Sequence, residues 1–211
     1  MFITFEGIEG SGKTTQIRAI AEVLAQDGIP CRVTREPGGT DIGARIRAIL
    51  LHPENKDLVH KAELLMYMAD RVQHVETVVR PALKRGETVL CDRYLDATLA
   101  YQGYGRDLDV DLLRDLHRLL LSDFKPDLTL LLDLSPEIGL SRAWRRIDAD
   151  CEEDEQTRFE EEALGFHERV RAGYLELARR EPDRFRIVDA AQGPARVQET
   201  ILEIIKKIID P

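Results

Sequence analysis

The stretch Gly7-Ile8-Glu9-Gly10-Ser11-Gly12-Lys13-Thr14 decides the fold. It follows the apolar run Phe2-Ile3-Thr4-Phe5 and opens a segment of helical periodicity, Thr14 to Gln26. Strand, glycine-rich loop and helix in that order make a complete Walker A motif. Glycines at 7, 10 and 12 let the backbone curl so that its N–H groups converge on a phosphate. Lys13 supplies positive charge, the Thr14 hydroxyl can ligate Mg²⁺, and the helix turns its positive end toward the same anion. Gly7, Ile8, Glu9, Gly10, Ser11, Gly12, Lys13, Thr14 and Thr15 are therefore the candidate triphosphate site. ATPases, GTPases and small kinases share the motif, so it sets the ligand class and leaves the reaction open.

Outward from the loop, strand-length runs alternate with helical patterns. The runs are Cys31-Arg32-Val33-Thr34, Thr88-Val89-Leu90-Cys91, Leu128 to Leu132 and Phe185 to Val188. Several are apolar throughout, as suits strands covered on both faces. The helical patterns cover Asp41 to Leu51, Ala62 to Lys84, Val110 to Leu121, Pro136 to Arg146, Phe159 to Arg180 and Arg196 to Ile209. Gly28 reads as a helix stop and Ser135-Pro136-Glu137 as a helix start. This alternation predicts an open, doubly wound α/β fold: a five-stranded parallel sheet flanked by helices, of the P-loop NTPase type. A length of 211 residues suits one domain, 1–211. The acidic run from Asp148 to Glu155 is expected to be an exposed loop.

Thirty basic against 39 acidic residues leave a net charge of −9, which disfavours a nucleic acid polymer as partner. A small anion feels local charge and is not excluded. No run approaches the ~20 apolar residues of a membrane span, and no basic segment precedes an apolar one at the start, so neither membrane nor secretion is expected. Cys31, Cys91 and Cys151 are odd in number and far apart, and read as reduced cytoplasmic thiols. The five histidines are scattered, so a metal held by dedicated protein ligands is not expected.

A phosphoryl acceptor would need a second site, and three segments offer one. Arg35-Glu36-Pro37-Gly38-Gly39-Thr40 combines a close-approach turn with a forked phosphate donor. It also fits an ordinary strand-to-helix turn. Asp92-Arg93-Tyr94 ends the third strand, where ligands collect in open α/β sheets. A structural ion pair would explain it equally well. Tyr67 and Arg71 share a helix face, which suits a base that is stacked and hydrogen-bonded at its edge. A half-buried ring beside a solvated arginine is the plain alternative.

With these elements in order, and Ala100-Tyr101-Gln102-Gly103 and Pro126-Asp127-Leu128-Thr129 besides, the sequence closely resembles the thymidylate kinase family over nearly its whole length. The resemblance implies transfer of the ATP γ-phosphoryl group to dTMP, with Mg²⁺, in a cytoplasmic homodimer. It implies that Tyr67 stacks on thymine where the family usually has Phe, that Arg71 donates to the base, and that Thr98 and Gln102 line the acceptor pocket. Tyr101 would pack near the sugar, Arg35 and Arg93 would hold the monophosphate, and Asp92 and Glu9 would organise it together with the Mg²⁺ shell beside Thr14. Catalysis would then be alignment and charge neutralisation by Lys13, Arg35 and Arg93, with no strong base.

The resemblance also implies a mobile lid, about residues 142–158. Arg142, Arg145 and Arg146 lie on one helix face. Where the family usually has Gly and then an Asp-Arg-Phe-Glu-like segment, this chain has Ile147, the acidic run and Thr157-Arg158-Phe159-Glu160. The arginine acting on the transferring group therefore stays open among Arg142, Arg146 and Arg158. The rival functions are a kinase for another nucleotide and a nucleotide-bound scaffold without turnover. The Tyr67 hydroxyl is expected at the pocket rim, so Tyr67→Phe should change the KM for dTMP by less than about twofold, the size of an ordinary surface substitution. Steady-state assays at saturating ATP check this.

Overall fold

β1 (Phe2–Glu6) sends Ile3 and Phe5 to one face of the sheet and Phe2 to the other, and all five residues are buried. β3 (Thr88–Asp92) and β4 (Leu128–Asp133) behave alike and pair with β1 on its two sides. The edges are β2 (Cys31–Arg35) and β5 (Phe185–Asp189), whose exposed Arg32, Val33, Arg186 and Ile187 mark half-covered strands. All pairings are parallel, in the order β2-β3-β1-β4-β5, as the alternation predicts. The structure, a computed structural model, describes residues 1–149 and 157–209. Most of the acidic run, from residue 150 onward, lies outside the described residues.

Each face has its own core. On one, α1 (Lys13–Gln26) and α9 (Pro194–Ile209) pack Ile17, Ile20, Leu24, Val197, Ile201 and Ile205 against Ile3, Phe5, Leu90, Leu130 and Leu132. On the other lie α3 (His60–His74), α6 (Val110–Leu121) and α8 (Leu164–Arg180), with Leu64, Met68, Leu113, Val170, Tyr174 and Leu177 buried. Each fully buried aliphatic side chain contributes about 1.5–3 kcal/mol. Of the apolar residues along the Ala62 to Lys84 pattern, Leu64, Met68, Val75 and Val79 are core, while Leu65 is 60% exposed.

Three elements differ from the sequence reading. The Ala62 to Lys84 helix is interrupted after α3 by a π-helical turn, Val75–Val79, before α4 (Arg80–Lys84). Pro81 has no N–H and its ring would strike the carbonyl four residues back. The Arg80 N–H donates five residues back, to the Val75 carbonyl, and the wider turn makes room. The helix expected from Phe159 begins at Leu164, because Arg158 and Phe159 form a turn whose side chains are drawn into the core. The third is α5 (Leu95–Thr98), continued by a π-helical segment, Leu99–Gly105; nearly every residue there is buried, so no amphipathic period marks it.

α2 (Asp41–Leu51) is capped by the Thr40 hydroxyl, which accepts from the Gly43 N–H at 2.9 Å. α7 (Pro136–Ala149) starts against the phosphate loop so closely that a Cβ on Gly10 would lie 2.0 Å from the Gly139 carbonyl. The far end of the sheet is tied by a buried ion pair. Arg184 donates to both oxygens of Asp96, at 2.7 and 2.8 Å, and to the Thr129 hydroxyl at 2.6 Å. Asp96 is fully buried, and Asp96→Ala takes away the carboxylate that Arg184 grips with two nitrogens, leaving the guanidinium only Glu181 as a carboxylate partner. It should cost about 3–5 kcal/mol of stability, read as a lower midpoint in urea unfolding.

Candidate active site

The loop between β1 and α1 has three glycines in the left-handed half of φ: Gly7 at 136°, Gly10 at 68° and Gly12 at 89°. A side chain at Gly7 would also meet the Leu132 carbonyl at 2.5 Å. Lys13 closes the loop on itself, donating to the carbonyls of Gly7 at 3.0 Å and Ile8 at 2.9 Å. Burial, with Arg93 nearby, lowers the Lys13 ammonium to about 8, while Asp92, Glu9 and Glu6 pull it back up.

At the carboxyl end of β3, the Thr14 hydroxyl donates to Asp92 Oδ2 at 2.8 Å. These two oxygens suit a hard cation. Glu9 turns elsewhere: its Oε1 accepts from Arg93 Nη2 at 2.9 Å and from the Tyr101 hydroxyl at 2.6 Å. Burial would raise the Glu9 carboxyl, but Arg93, His167 and Lys13 outweigh it and hold the group below the usual carboxylate range. Among the described residues no cluster of three or more His, Cys, Asp or Glu could hold a metal. Arg93 itself has φ 68°, a strained value for a non-glycine residue, and its guanidinium stacks 4.8 Å over the Tyr101 ring.

One cleft gathers the loop and the other segments. Its walls include Glu9, Gly10, Lys13, Thr14, Arg35, Tyr67, Arg71, Asp92, Arg93, Thr98, Tyr101, Gln102 and Arg146. Arg71 is buried; it donates to Glu36 Oε2 at 2.7 Å, to the Tyr94 carbonyl at 3.0 Å and to the Thr98 hydroxyl at 2.8 Å. Tyr67 lies half-buried on the same helix face, and burial together with Glu63 pushes its phenol up. Gln102 donates to the buried Glu63 at 2.8 Å.

The three open lid arginines part company. Arg146 lines the cleft. Arg142 donates to the Ala190 carbonyl at 3.0 Å. Arg158 is 6% exposed; it donates to the Leu50 carbonyl at 3.0 Å and pairs with Glu63 at 2.7 Å. Arg106 also pairs with Glu63, on its other oxygen. The cleft adds residues the sequence reading did not assign: Glu36, Arg47, Leu51, Phe159 and Glu160 in its walls, and His167, whose Nδ1 lies 3.3 Å from Glu9. Arg47 carried the one legible signal, a guanidinium on the helix that follows the Arg35 turn; it donates to the Pro37 carbonyl at 3.1 Å.

Known proteins resemble the chain over its length. The model of the family described as thymidylate kinase matches residues 5–201. The chain is similar to thymidylate kinase from Desulfosudis oleivorans, 51% identical over 210 residues, covering 100% of this chain and 98% of that one. It is similar to thymidylate kinase from Syntrophotalea carbinolica, 56% identical over 189 residues, covering 90% and 87%. Among solved structures, thymidylate kinase from Ehrlichia chaffeensis superimposes with a TM-score of 0.77 at 32% identity, covering 97% of this chain and 98% of that one.

Behind Arg93 sits Glu6, fully buried, accepting from the Tyr94 N–H and the Tyr174 hydroxyl, each at 2.8 Å. Burial, and then Asp96, raise this carboxyl from 4.5 to about 8, against the pull of Arg93. Between those values the folded chain binds a proton that the unfolded chain has lost, so this group's contribution to stability falls as pH rises through the window. Glu6→Gln removes that dependence. Its stability relative to the parent should improve steadily from pH 5 to pH 8, as measured by urea unfolding at each pH.

Proposed function

The chain belongs to the thymidylate kinase family, and from that premise we propose how its cleft works. It is an enzyme that phosphorylates dTMP. The phosphate loop takes ATP as the phosphoryl donor, and the chamber walled by Tyr67, Arg71, Thr98, Tyr101 and Gln102 takes dTMP. The observation that carries this reading is Arg93, which lies between the two chambers, bonded to Glu9 of the phosphate loop and stacked on Tyr101 of the acceptor wall.

The acceptor phosphate is already nucleophilic at neutral pH, so the chain's task is to align two anions and offset their repulsion. Lys13 neutralises the donor's phosphates and Arg35 and Arg93 those of the acceptor. Arg146 is the lid arginine proposed to reach the transferring group, because it lines the cleft while Arg142 and Arg158 are engaged elsewhere. Arg158 is proposed instead to anchor the lid's far end on Glu63. Thr14 and Asp92 would hold Mg²⁺ together with the substrate phosphates, and the ion would supply positive charge to offset theirs. Glu9 is proposed to orient Arg93 and Tyr101, reaching the Mg²⁺ shell only through water.

Tyr101, ringed by Phe159, Phe166 and Tyr174 in edge contacts, presents a rigid surface proposed to disfavour a ribose 2′-hydroxyl. A homodimer is proposed from large apolar side chains left exposed on α3 and α6, among them Leu65 and Leu119, the latter 80% exposed. Cys31 and Cys91 are free thiols, which supports a reducing, cytoplasmic setting. Among the described residues no helix is long and apolar enough to cross a membrane.

A coupled assay of ADP release with dTMP, dUMP, dCMP and dGMP tests the reading. dTMP should give the highest kcat/KM, and ADP release no faster than with ATP alone would refute it. Arg93→Ala should lower kcat by about 10²–10³-fold, the cost of losing one preorganised charge at the reacting centre.

A further inference from the structure

Arg71 is held by Glu36, which itself lines the cleft, and through it by His74, which does not. Glu36 is 3% exposed; its Oε2 accepts from Arg71 Nε at 2.7 Å and its Oε1 faces His74 Nδ1 at 2.8 Å. His74 is fully buried, and its other nitrogen lies 2.6 Å from the Thr34 hydroxyl on edge strand β2. Through its two ring nitrogens His74 bridges the Glu36 carboxylate and the Thr34 hydroxyl. The chain Thr34–His74–Glu36–Arg71–Thr98 thus runs without a gap from the sheet edge to the pocket wall.

The turn after β2 is shaped around this chain. Gly38 needs its glycine for a φ of 103°. Gly39 has no such backbone demand, but a Cβ there would lie 2.5 Å from His74 Cδ2. On α3, Tyr67, Arg71 and His74 fall four and three residues apart and share one face. The helix therefore offers its pocket side chains and their support from one stripe.

We propose that Glu36 and His74 are positioning residues for Arg71, and that they make the acceptor chamber selective for a base presenting a carbonyl where a rival presents an amino group. This rests on reading the cleft as the dTMP site. Of the five N–H groups of Arg71, one goes to Glu36, two to Tyr94 and Thr98, and one to the Met68 sulfur at 3.5 Å, leaving one Nη1 hydrogen for the cleft that Arg71 lines. A donor whose plane is locked rewards an acceptor and rejects another donor; thymine has a carbonyl where cytosine has an amino group. A loosely held arginine would swing aside and discriminate less.

The test compares kcat/KM for dTMP, dUMP and dCMP at saturating ATP in the full chain. His74→Leu should lower the dTMP:dCMP ratio about tenfold, the worth of one hydrogen bond from a charged donor. The loss should fall on the KM for dTMP, with the KM for ATP and the dTMP:dUMP ratio within about twofold. His74→Asn, whose amide keeps a donor to Glu36, should recover most of the ratio. Within an Arg71→Ala background, His74→Leu should change the ratio no further. Should His74→Leu fail to fold, Thr34→Val on the edge strand carries the test, with a two- to threefold fall expected, about half a kcal/mol. An unchanged dTMP:dCMP ratio in the folded variants, or a further change on top of Arg71→Ala, overturns the proposal. Absence of dTMP turnover in the parent would instead refute the function proposed above.

Discussion

The ion pair between Arg93 and Glu9 joins the phosphate loop to the carboxyl end of β3, and both chambers of the cleft are arranged around it. A parallel sheet with β1 at its centre brings those two strand ends side by side, since β1 and β3 are direct neighbours in register. Placing a cation there is costly in a buried setting unless its hydrogen bonds are met. Glu9, the Tyr174 hydroxyl and the face of Tyr101 meet them. The strained φ of Arg93 is held by its N–H bond to the Phe5 carbonyl, so the strand ladder itself aims the side chain.

Much of the remaining buried charge follows the same logic. Glu63, fully buried, collects Gln102, Arg106 and Arg158 and so binds the turn at Arg158 to the helix that carries Tyr67 and Arg71. Arg106 adds a bond to Glu162 and stacks against Phe159 and Phe166. Asp96 and Arg184 do the same for the far edge of the sheet. These groups contribute less to net stability than an equal volume of apolar packing would, since desolvation cancels most of their attraction. Their effect is geometric: each ties together segments that are distant in the sequence.

The fold and the phosphate loop were legible because local patterns encode them. Apolar runs of strand length, helical periodicity and three glycines around Lys13 need only neighbours in sequence to be read. The two π-helical segments were not legible, although Pro81 stood in plain view, because the sequence does not say whether a helix ends at a proline or widens to pass it. Nor was the late start of α8, which depends on Arg158 being drawn to Glu63, ninety-five residues earlier in the chain.

For the site, residue types at fixed spacing named Lys13, Thr14, Asp92, Arg93, Tyr67 and Arg71, and the cleft contains all six. Their supports escaped notice. Glu36, Glu63, His74 and His167 are single polar letters whose meaning depends on what faces them across the fold, and facing is a property of packing. The three lid arginines make the same point, being equivalent as letters on a charged segment. Sequence alone determined which strands form, where the glycine-rich loop lies and what charge is available. Tertiary structure decided which of those charges reach the cleft and which are spent holding it together, because pairing across long separations is set by the geometry of the whole core.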